Sequence, residues 1–401
     1  HVMERYMFSK LATSPAIVGK VLNIEVPKLR SILATQPFKL LQQELAYLKA
    51  NLRDPNTGRE AVIVRNYTHL KEVLETTDHL AIWLGIEGSH NLGFEYRDED
   101  FLGTGWERGY NLRNESNMTE IEAAEPISEA LVDERIRFMQ ANHIQILTLH
   151  HLVFNHLGTQ PKAIEQTGIK KIGHNPVKSL HIMGQYRGLT FLGAYMVDHL
   201  MKAGIAVDIK HADAISRHQI YQIARRHNMP VIGTHMAVSG KPTNVRHNGL
   251  IHANDLIKDR RQAERFNPWD INLHDDDIVA IHELGGLIGL ILDKRVLGSA
   301  TAVQHAARTG EWLELFFAQI RHVYDVLRAA GFPPKECLDT LAIGSDFDGL
   351  IDPIDPVLTS LDFRYNPAHH AEGSRKLDNG LLELFRKYHA LFRETQLEPV
   401  E

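Results

Sequence analysis

Residues 188–211 read GLTFLGAYMVDHLMKAGIAVDIKH, and two different patterns meet within this segment. As far as Gly204 the apolar residues recur at spacings of three and four, which predicts an amphipathic helix with Gly204 as its C-cap. The remainder, GIAVDIKH, is a nearly continuous apolar run of strand length that ends in His211. A helix followed directly by a buried strand is the unit from which parallel α/β folds are built.

The same alternation extends over most of the chain. Further helical patterns cover residues 274–286 and 312–331. Further apolar runs are LAIWLGIEG (80–88), IQILTLHH (144–151), MPVIGTH (229–235), GGLIGLIL (285–292) and TLAIGSDFDG (340–349). Their continuous hydrophobicity is typical of parallel strands that are covered on both faces. The sequence therefore predicts an α/β fold with a parallel sheet.

Residues capable of acid–base or metal chemistry stand at the ends of five of the six runs: Glu87, His151, His211, His235 and Asp346. A (β/α)8 barrel builds its active site from the carboxyl ends of several strands at once. A doubly wound sheet instead uses one switch point with a glycine-rich phosphate turn, and no G-x-G-x-x-G or Walker pattern follows any run. The pattern favours the TIM-like barrel.

The predicted domain organisation is a single barrel over residues 1–375. Two polar stretches, at about 94–135 and 247–272, interrupt the alternation and are interpreted as long loop insertions. Residues 376–401 contain an amphipathic pattern, LLELFRKYHALF, which predicts a C-terminal helical tail that packs on the outside of the barrel.

Composition narrows the partners and the compartment. The chain has 401 residues and a net charge of −6 without any basic block, which argues against nucleic acid as a partner. The single cysteine, Cys337, excludes an intrachain disulfide framework and favours a reducing, cytoplasmic compartment. No apolar run reaches the roughly 18–20 residues of a transmembrane helix, and no signal peptide is visible. Because the sequence starts at His1 instead of a methionine, export stays open. A homodimer also stays open.

Each strand-end residue taken alone has an ordinary structural explanation, since single histidines are usually core residues and SDFDG is a common turn composition. Together, neutral imidazoles and carboxylates at one barrel mouth form the ligand set of zinc or a similar divalent ion. A further aspartate close to an activated water is suited to transferring its proton to a leaving group. The combination predicts a metal-dependent hydrolase that acts on a small molecule.

These segments resemble the membrane dipeptidase (renal dipeptidase) family of zinc-dependent, amidohydrolase-like hydrolases. LGIEGSHNLG (84–93) is similar to its Glu-Gly-Gly-His segment, and ILTLHH (146–151) to its Leu-Thr-Leu-Thr-His segment. Residues 187–214 resemble its Gly-Leu-Thr…Asp-x-x-His-x-Ser block, and MPVIGTHMAV (229–238) its Pro-Val-Ile-x-Ser-His-Ser segment. LAIGSDFDG (341–349) resembles Gly-x-Gly-Gly-Asp-Phe-Asp-Gly, so the resemblance spans about residues 80–350.

The resemblance implies a barrel with two divalent ions, zinc in the first place, that cleaves the amide bond of a dipeptide or similar amide with a metal-bridging hydroxide. It makes Glu87 the bridging ligand and His211 and His235 further ligands. It makes His151 the histidine that contacts the substrate and stabilises the oxyanion, and Asp346 the catalytic proton shuttle. Arg246 falls where the family holds the substrate carboxylate. Asp348 lies two positions beyond Asp346 and is expected to hold the turn or to support a site residue from behind.

Several departures indicate a divergent member. The family's first strand carries a His-x-Asp pair (His-x-His in related barrels), and no complete pair occurs near this N-terminus. His1 is a candidate for the second member of such a pair and hence for a metal ligand; the alternative is a truncation remnant. Small residues of the family motifs are replaced at Ser89, His150, Ala212–Asp213 and Ser345.

Alternative functions therefore stay open. The same metals in a related barrel would hydrolyse an N-acyl amino acid, a lactone or a cyclic amide. A further alternative is that the protein is not an enzyme but a catalytically inactive barrel used for binding. A site of histidines and carboxylates accepts manganese as well as zinc, so the ligand set does not identify the metal.

Overall fold

The computed structural model describes most of the predicted strands and the helices between them. The described residues are 35–55, 57–94, 127–151, 155–158, 188–241, 245–246, 249–250, 265–269, 271–346, 354, 382–383 and 386. The chain divides into two compact units, His1–Met229 and Pro230–Glu401.

Unit 1 is built on parallel strands with helices between them. In chain order its described elements are α1 (Pro37–Ala50), β1 (Ala61–Ile63), α2 (Tyr67–Thr76), β2 (Leu80–Ile82), β3 (Leu84–Glu87), α3 (Glu129–Ala141), β4 (Ile144–Thr148), α4 (Phe191–Lys202), β5 (Ala206–Asp208) and α5 (Ala214–His227). A short 3-10 helix, Ser89–Leu92, follows β3. Strand β4 pairs in parallel with β3 and with β5, while β1 pairs in parallel with β2.

Helix caps in unit 1 explain where its helices begin. The side chains of Ser128, Thr190 and Asp213 accept hydrogen bonds from backbone N–H groups in the first turns of α3, α4 and α5, respectively. Gly204 follows α4 with φ 72° and its N–H donates to the carbonyl of Met201, which confirms the predicted helix end.

Unit 2 repeats the same scheme. Its described elements are β6 (Val231–Met236), β7 (Val245–Arg246), β8 (Gly249–Leu250), α6 (Asp275–Glu283), β9 (Leu287–Leu290), α7 (Lys294–Leu297), α8 (Ala300–Thr309), α9 (Trp312–Ala329) and β10 (Leu341–Ile343). Strand β9 pairs in parallel with β6 and with β10, whereas β7 and β8 form a small antiparallel pair. Helices α6 and α9 occupy the two segments with predicted helical patterns.

The run at residues 80–88 differs from its prediction as one strand. Trp83 separates it into β2, which pairs with β1, and β3, which pairs with β4. Leu80 and Trp83 are 54% and 39% exposed, so the first half of the run is not covered on both faces. Strand β1, only three residues long, was too short to be recognised from hydrophobicity alone.

Parallel strands alternating with helices confirm the α/β class. Within the described ranges no closed eight-stranded barrel is seen, so closure stays a prediction. Most of the insertions and the tail lie outside the described residues, although α3 already begins at Glu129, inside the first predicted insertion. None of the described helices combines the length and the apolar character needed to cross a membrane.

Candidate metal centre

Glu87 is the last residue of β3, and the turn after it is held tightly against β4. The N–H of Gly88 donates to the carbonyl of Thr148 at 2.8 Å. The hydroxyl of Ser89 donates to the carbonyl of Leu149, also at 2.8 Å. The side-chain amide of Asn91 donates to the backbone carbonyl of Glu87 at 2.8 Å. The backbone of Glu87 is therefore fixed while its side chain, 41% exposed, reaches beyond the strand end.

His151 lies three residues beyond β4 and faces Glu87. Its Nε2 is 3.7 Å from Oε1 of Glu87. Its ring stacks on that of His90, with centroids 5.7 Å apart and an interplanar angle of 24°. Gly88 packs against the ring of His90 and the Cβ of His151: a Cβ added there would be 2.3 Å from Cε1 of His90 and 2.8 Å from Cβ of His151. The absence of a side chain at Gly88 therefore makes room for His90 and His151.

His211 approaches the same carboxylate oxygen from β5. Its Nε2 is 3.3 Å from Oε1 of Glu87, and its ring meets that of His151 edge to face at 4.8 Å. Its φ of 63° is a left-handed conformation that costs about 1–2 kcal/mol for a residue with a Cβ. Non-glycine residues in such conformations cluster at functional sites.

Burial lowers the pKa of His211 well below its ordinary value, because the imidazolium would lose its hydration. The hydrogen bond and charge of Glu87 oppose this shift, whereas His151 and Lys210 add to it. His211 is therefore neutral at physiological pH. A neutral imidazole is the form that binds a metal ion.

Unit 2 carries His235 and Asp346 at the ends of its own strands. His235 is the fifth residue of β6 and is buried, and its Nδ1 is 2.8 Å from the hydroxyl of Thr234. A hydrogen bond at one ring nitrogen orients an imidazole and selects its tautomer, as found behind many metal-ligating histidines. Asp346 follows β10 by three residues and has φ 55°, a second left-handed conformation at a strand end.

Three predicted residues are not described at the level of their side chains. The backbone of Arg246 lies in β7, but its side chain is outside the described residues, as are His1 and Asp348. The predicted role of Arg246 in holding a carboxylate and that of His1 as a ligand stay predictions.

Two polar residues of unit 1 were missed by the sequence analysis. Thr148 donates its hydroxyl to Oδ2 of Asp208 at 2.6 Å, and both side chains are buried. The signal for Asp208 was present, since an acid inside the apolar run GIAVDIKH needs a buried partner.

His150, recognised only as a departure from a motif, is completely buried, and burial lowers its pKa to about 4 against the opposing charge of Asp213.

No protein-family model matches this chain, and none of the curated proteins matches it. Among solved structures, an amidohydrolase from Pseudomonas aeruginosa is 13% identical with a TM-score of 0.44, and the similarity covers 79% of this chain and 70% of that one. A metallopeptidase from Rhodobacter sphaeroides, liganded with a phosphinate mimic of the dipeptide L-Ala-D-Ala, is 16% identical with a TM-score of 0.45, covering 85% and 68%. The probable dipeptidase PvdM from Pseudomonas aeruginosa is 13% identical with a TM-score of 0.41, covering 86% and 76%.

Each of these TM-scores is below 0.5, so the functional proposal for this chain rests on its own side chains.

Proposed function

We propose that this chain is a metal-dependent hydrolase, a divergent relative of the membrane dipeptidases, which cleaves the amide bond of a dipeptide or similar small amide. The observation that carries the proposal is the convergence of two histidine Nε2 atoms, from His151 and His211, on one oxygen of Glu87. The turns of three separate strands bring these side chains together. A structural salt bridge does not require a second histidine at the same oxygen.

The ligands that we propose are Glu87 and His211, which unit 1 brings together, and the sequence motifs add His235 and His1 as further candidates. The donor types suit a divalent ion, because a carboxylate oxygen is combined with imidazole nitrogens. The lowered pKa of His211 supports the assignment, since its lone pair is available without prior loss of a proton. A divalent ion held there would supply Lewis-acid activation of water and of the scissile carbonyl.

The remaining roles belong to side chains that do not bind the ion. His151 would donate a hydrogen bond to the carbonyl oxygen on which negative charge develops. Asp346 would accept a proton from the attacking water and pass it to the departing amine. Arg246 would hold a terminal carboxylate of the substrate, a bidentate contact for which a guanidinium is better suited than an ammonium.

The first experiment measures metal content and binding. Wild-type protein purified under metal-replete conditions is expected to hold at least stoichiometric zinc or manganese, and Glu87→Gln to lose most of it. Glu75→Gln is the matched control, because Glu75 is a 61%-exposed helix residue whose carboxylate lies 3.6 Å from the ammonium group of Lys71. Substoichiometric metal in the wild-type protein would contradict the proposed hydrolase activity and favour an inactive barrel used for binding.

The second experiment separates the catalytic step from metal binding. Asp346→Asn is expected to abolish turnover of L,L- and L,D-dipeptides while metal content stays at the wild-type level. Asp325→Asn, a change on the exposed face of α9, controls for the substitution itself. Wild-type turnover by Asp346→Asn would show that the proton shuttle is assigned to the wrong residue.

The substrate class is tested with Arg246→Ala. For substrates that carry a terminal carboxylate we expect a large rise in KM, and for neutral N-acyl amides or lactones no change. A panel of dipeptides, N-acyl amino acids and lactones, assayed with and without chelator, distinguishes a dipeptidase from the other amidohydrolase-like activities.

A further inference from the structure

Three residues in register connect the strand ends of unit 1. Glu87 of β3 pairs with Thr148 of β4, and Thr148 pairs with Asp208 of β5. Residues in register on neighbouring parallel strands stand side by side. The row therefore runs from the proposed metal ligand Glu87 to a carboxylate, Asp208, that has no role in the proposed reaction.

Both oxygens of Asp208 are engaged. Oδ2 accepts the hydroxyl hydrogen of Thr148 at 2.6 Å, and Oδ1 accepts the backbone N–H of Lys210 at 3.0 Å. Asp208 is 0% exposed and Thr148 is 3% exposed, so water does not compete for these bonds.

The two bonds act on different parts of the site. The bond from Thr148 ties β5 to β4, three residues before His151. The bond from Lys210 closes the start of the turn that ends in His211, and a further bond from the N–H of Ala212 to the carbonyl of Ile209, at 3.1 Å, completes that turn.

His211 needs such support because its left-handed backbone is intrinsically unfavourable. A turn without the side-chain acceptor would relax toward ordinary φ values and carry the imidazole away from Glu87.

We propose that Asp208 and Thr148 form a buried positioning pair that sets the spacing between His151 and His211 at the carboxylate of Glu87. The proposal rests on the proposed function for its consequence, which is metal affinity, but the geometry it describes exists without a metal. Neither residue touches substrate or metal. Each acts through the strand end that carries a functional histidine.

The test uses Thr148→Val, which keeps the shape of the side chain and removes only the donor. Thr340→Val is the matched control, since Thr340 is equally buried and donates to a backbone carbonyl, that of Gly286, at 3.0 Å. Thr148→Ser restores a hydroxyl. Loss of a residue that hydrogen-bonds a metal ligand directly typically weakens metal binding about 10–100-fold, and because Thr148 acts through Asp208, one step further away, the lower end of that range applies. We expect a Co²⁺ Kd raised by this factor, with an altered Co²⁺ visible spectrum, in Thr148→Val only, and recovery in Thr148→Ser.

A general loss of stability would instead lower the Tm of Thr148→Val and Thr340→Val alike and leave both Co²⁺ affinities unchanged. Equal Co²⁺ affinity and an unchanged Co²⁺ spectrum in Thr148→Val and Thr340→Val would overturn the proposal.

Crystal structures of the metal-free variants give an independent readout. In Thr148→Val the ring separation of 4.8 Å between His151 and His211 should widen, and the 3.3 Å contact of His211 with Glu87 should be lost. Retention of both contacts would refute the positioning pair. Failure of the wild-type protein to bind Co²⁺ would refute the proposed function, and in that case the metal-free structures still decide whether Asp208 and Thr148 position the two histidines.

Discussion

Gly88→Ala tests the geometry of the candidate centre without altering any of its polar groups. Gly88 has φ 88° and ψ 122°, a backbone conformation that essentially only glycine adopts. An added Cβ would also lie 2.3 Å from Cε1 and 2.4 Å from Nδ1 of His90, and 2.8 Å from Cβ of His151. Such distances require both histidines to move.

The expected loss combines two terms. The backbone conformation contributes about 1–3 kcal/mol and overpacking about another 1–3 kcal/mol, so Gly88→Ala should lower the free energy of unfolding by roughly 2–6 kcal/mol. Gly93→Ala is the control: it lies five residues on, with φ 89° and ψ 18°, and its Cβ would meet no atom within 4 Å. Its loss should be only about 1–2 kcal/mol, the penalty of a left-handed conformation.

Urea titration followed by circular dichroism measures both losses, and steady-state kinetics on an active substrate measures the displacement of His151. We expect a lower kcat in Gly88→Ala and wild-type kcat in Gly93→Ala. Equal losses of stability in the two variants, with equal kcat, would show that Gly88 does not pack closely against His90 and His151.

Further predictions concern pH and packing. Burial lowers the pKa of His150 from 6.5 to about 4, so the unfolded state takes up the proton first and the free energy of unfolding falls as pH drops from 6.5 to 4. The shift corresponds to about 3 kcal/mol. Urea titrations at pH 7 and pH 4 should therefore show a smaller fall in the free energy of unfolding for His150→Asn than for the wild-type protein. Hydrogen bonds from Lys202 and His227 are the main cause that lowers the pKa of Asp198 from 3.8 to about 2. The contribution of Asp198 to the free energy of unfolding is therefore present above pH 3.8 and lost toward pH 2. The stability difference between the wild-type protein and Asp198→Asn should disappear at pH 2. Gly289→Ala would place a Cβ 2.1 Å from the backbone oxygen of Thr234 and should lower the melting temperature far more than Gly85→Ala, whose Cβ meets a side-chain carbon at 3.2 Å; similar melting temperatures would contradict this close approach of β9 to β6.

The α/β class and the positions of most strands were predictable from residues close together in the chain. Continuous apolar runs identify strands buried on both faces, and a spacing of three and four identifies the helices between them. The run GIAVDIKH and the helix before it appear in the structure as β5 and α4, with Gly204 at the predicted helix end. The candidate site residues Glu87, His151 and His211 followed from one geometric rule, that parallel strands place their carboxyl ends on the same edge.

Other features depend on contacts between residues far apart in the chain, which local patterns do not encode. The break at Trp83 arises because β2 and β3 pair with different strands, although the run reads as one. The roles of Asp208 and Thr148 become visible only when β4 and β5 bring them within 2.6 Å across sixty residues of chain. The convergence of His151 and His211 on a single oxygen of Glu87 likewise depends on a left-handed backbone at His211, which packing and buried hydrogen bonds stabilise against its intrinsic cost. Hydrophobic periodicity predicts which segments are buried, whereas the pairing of strands and the burial of polar partners determine where each functional atom lies.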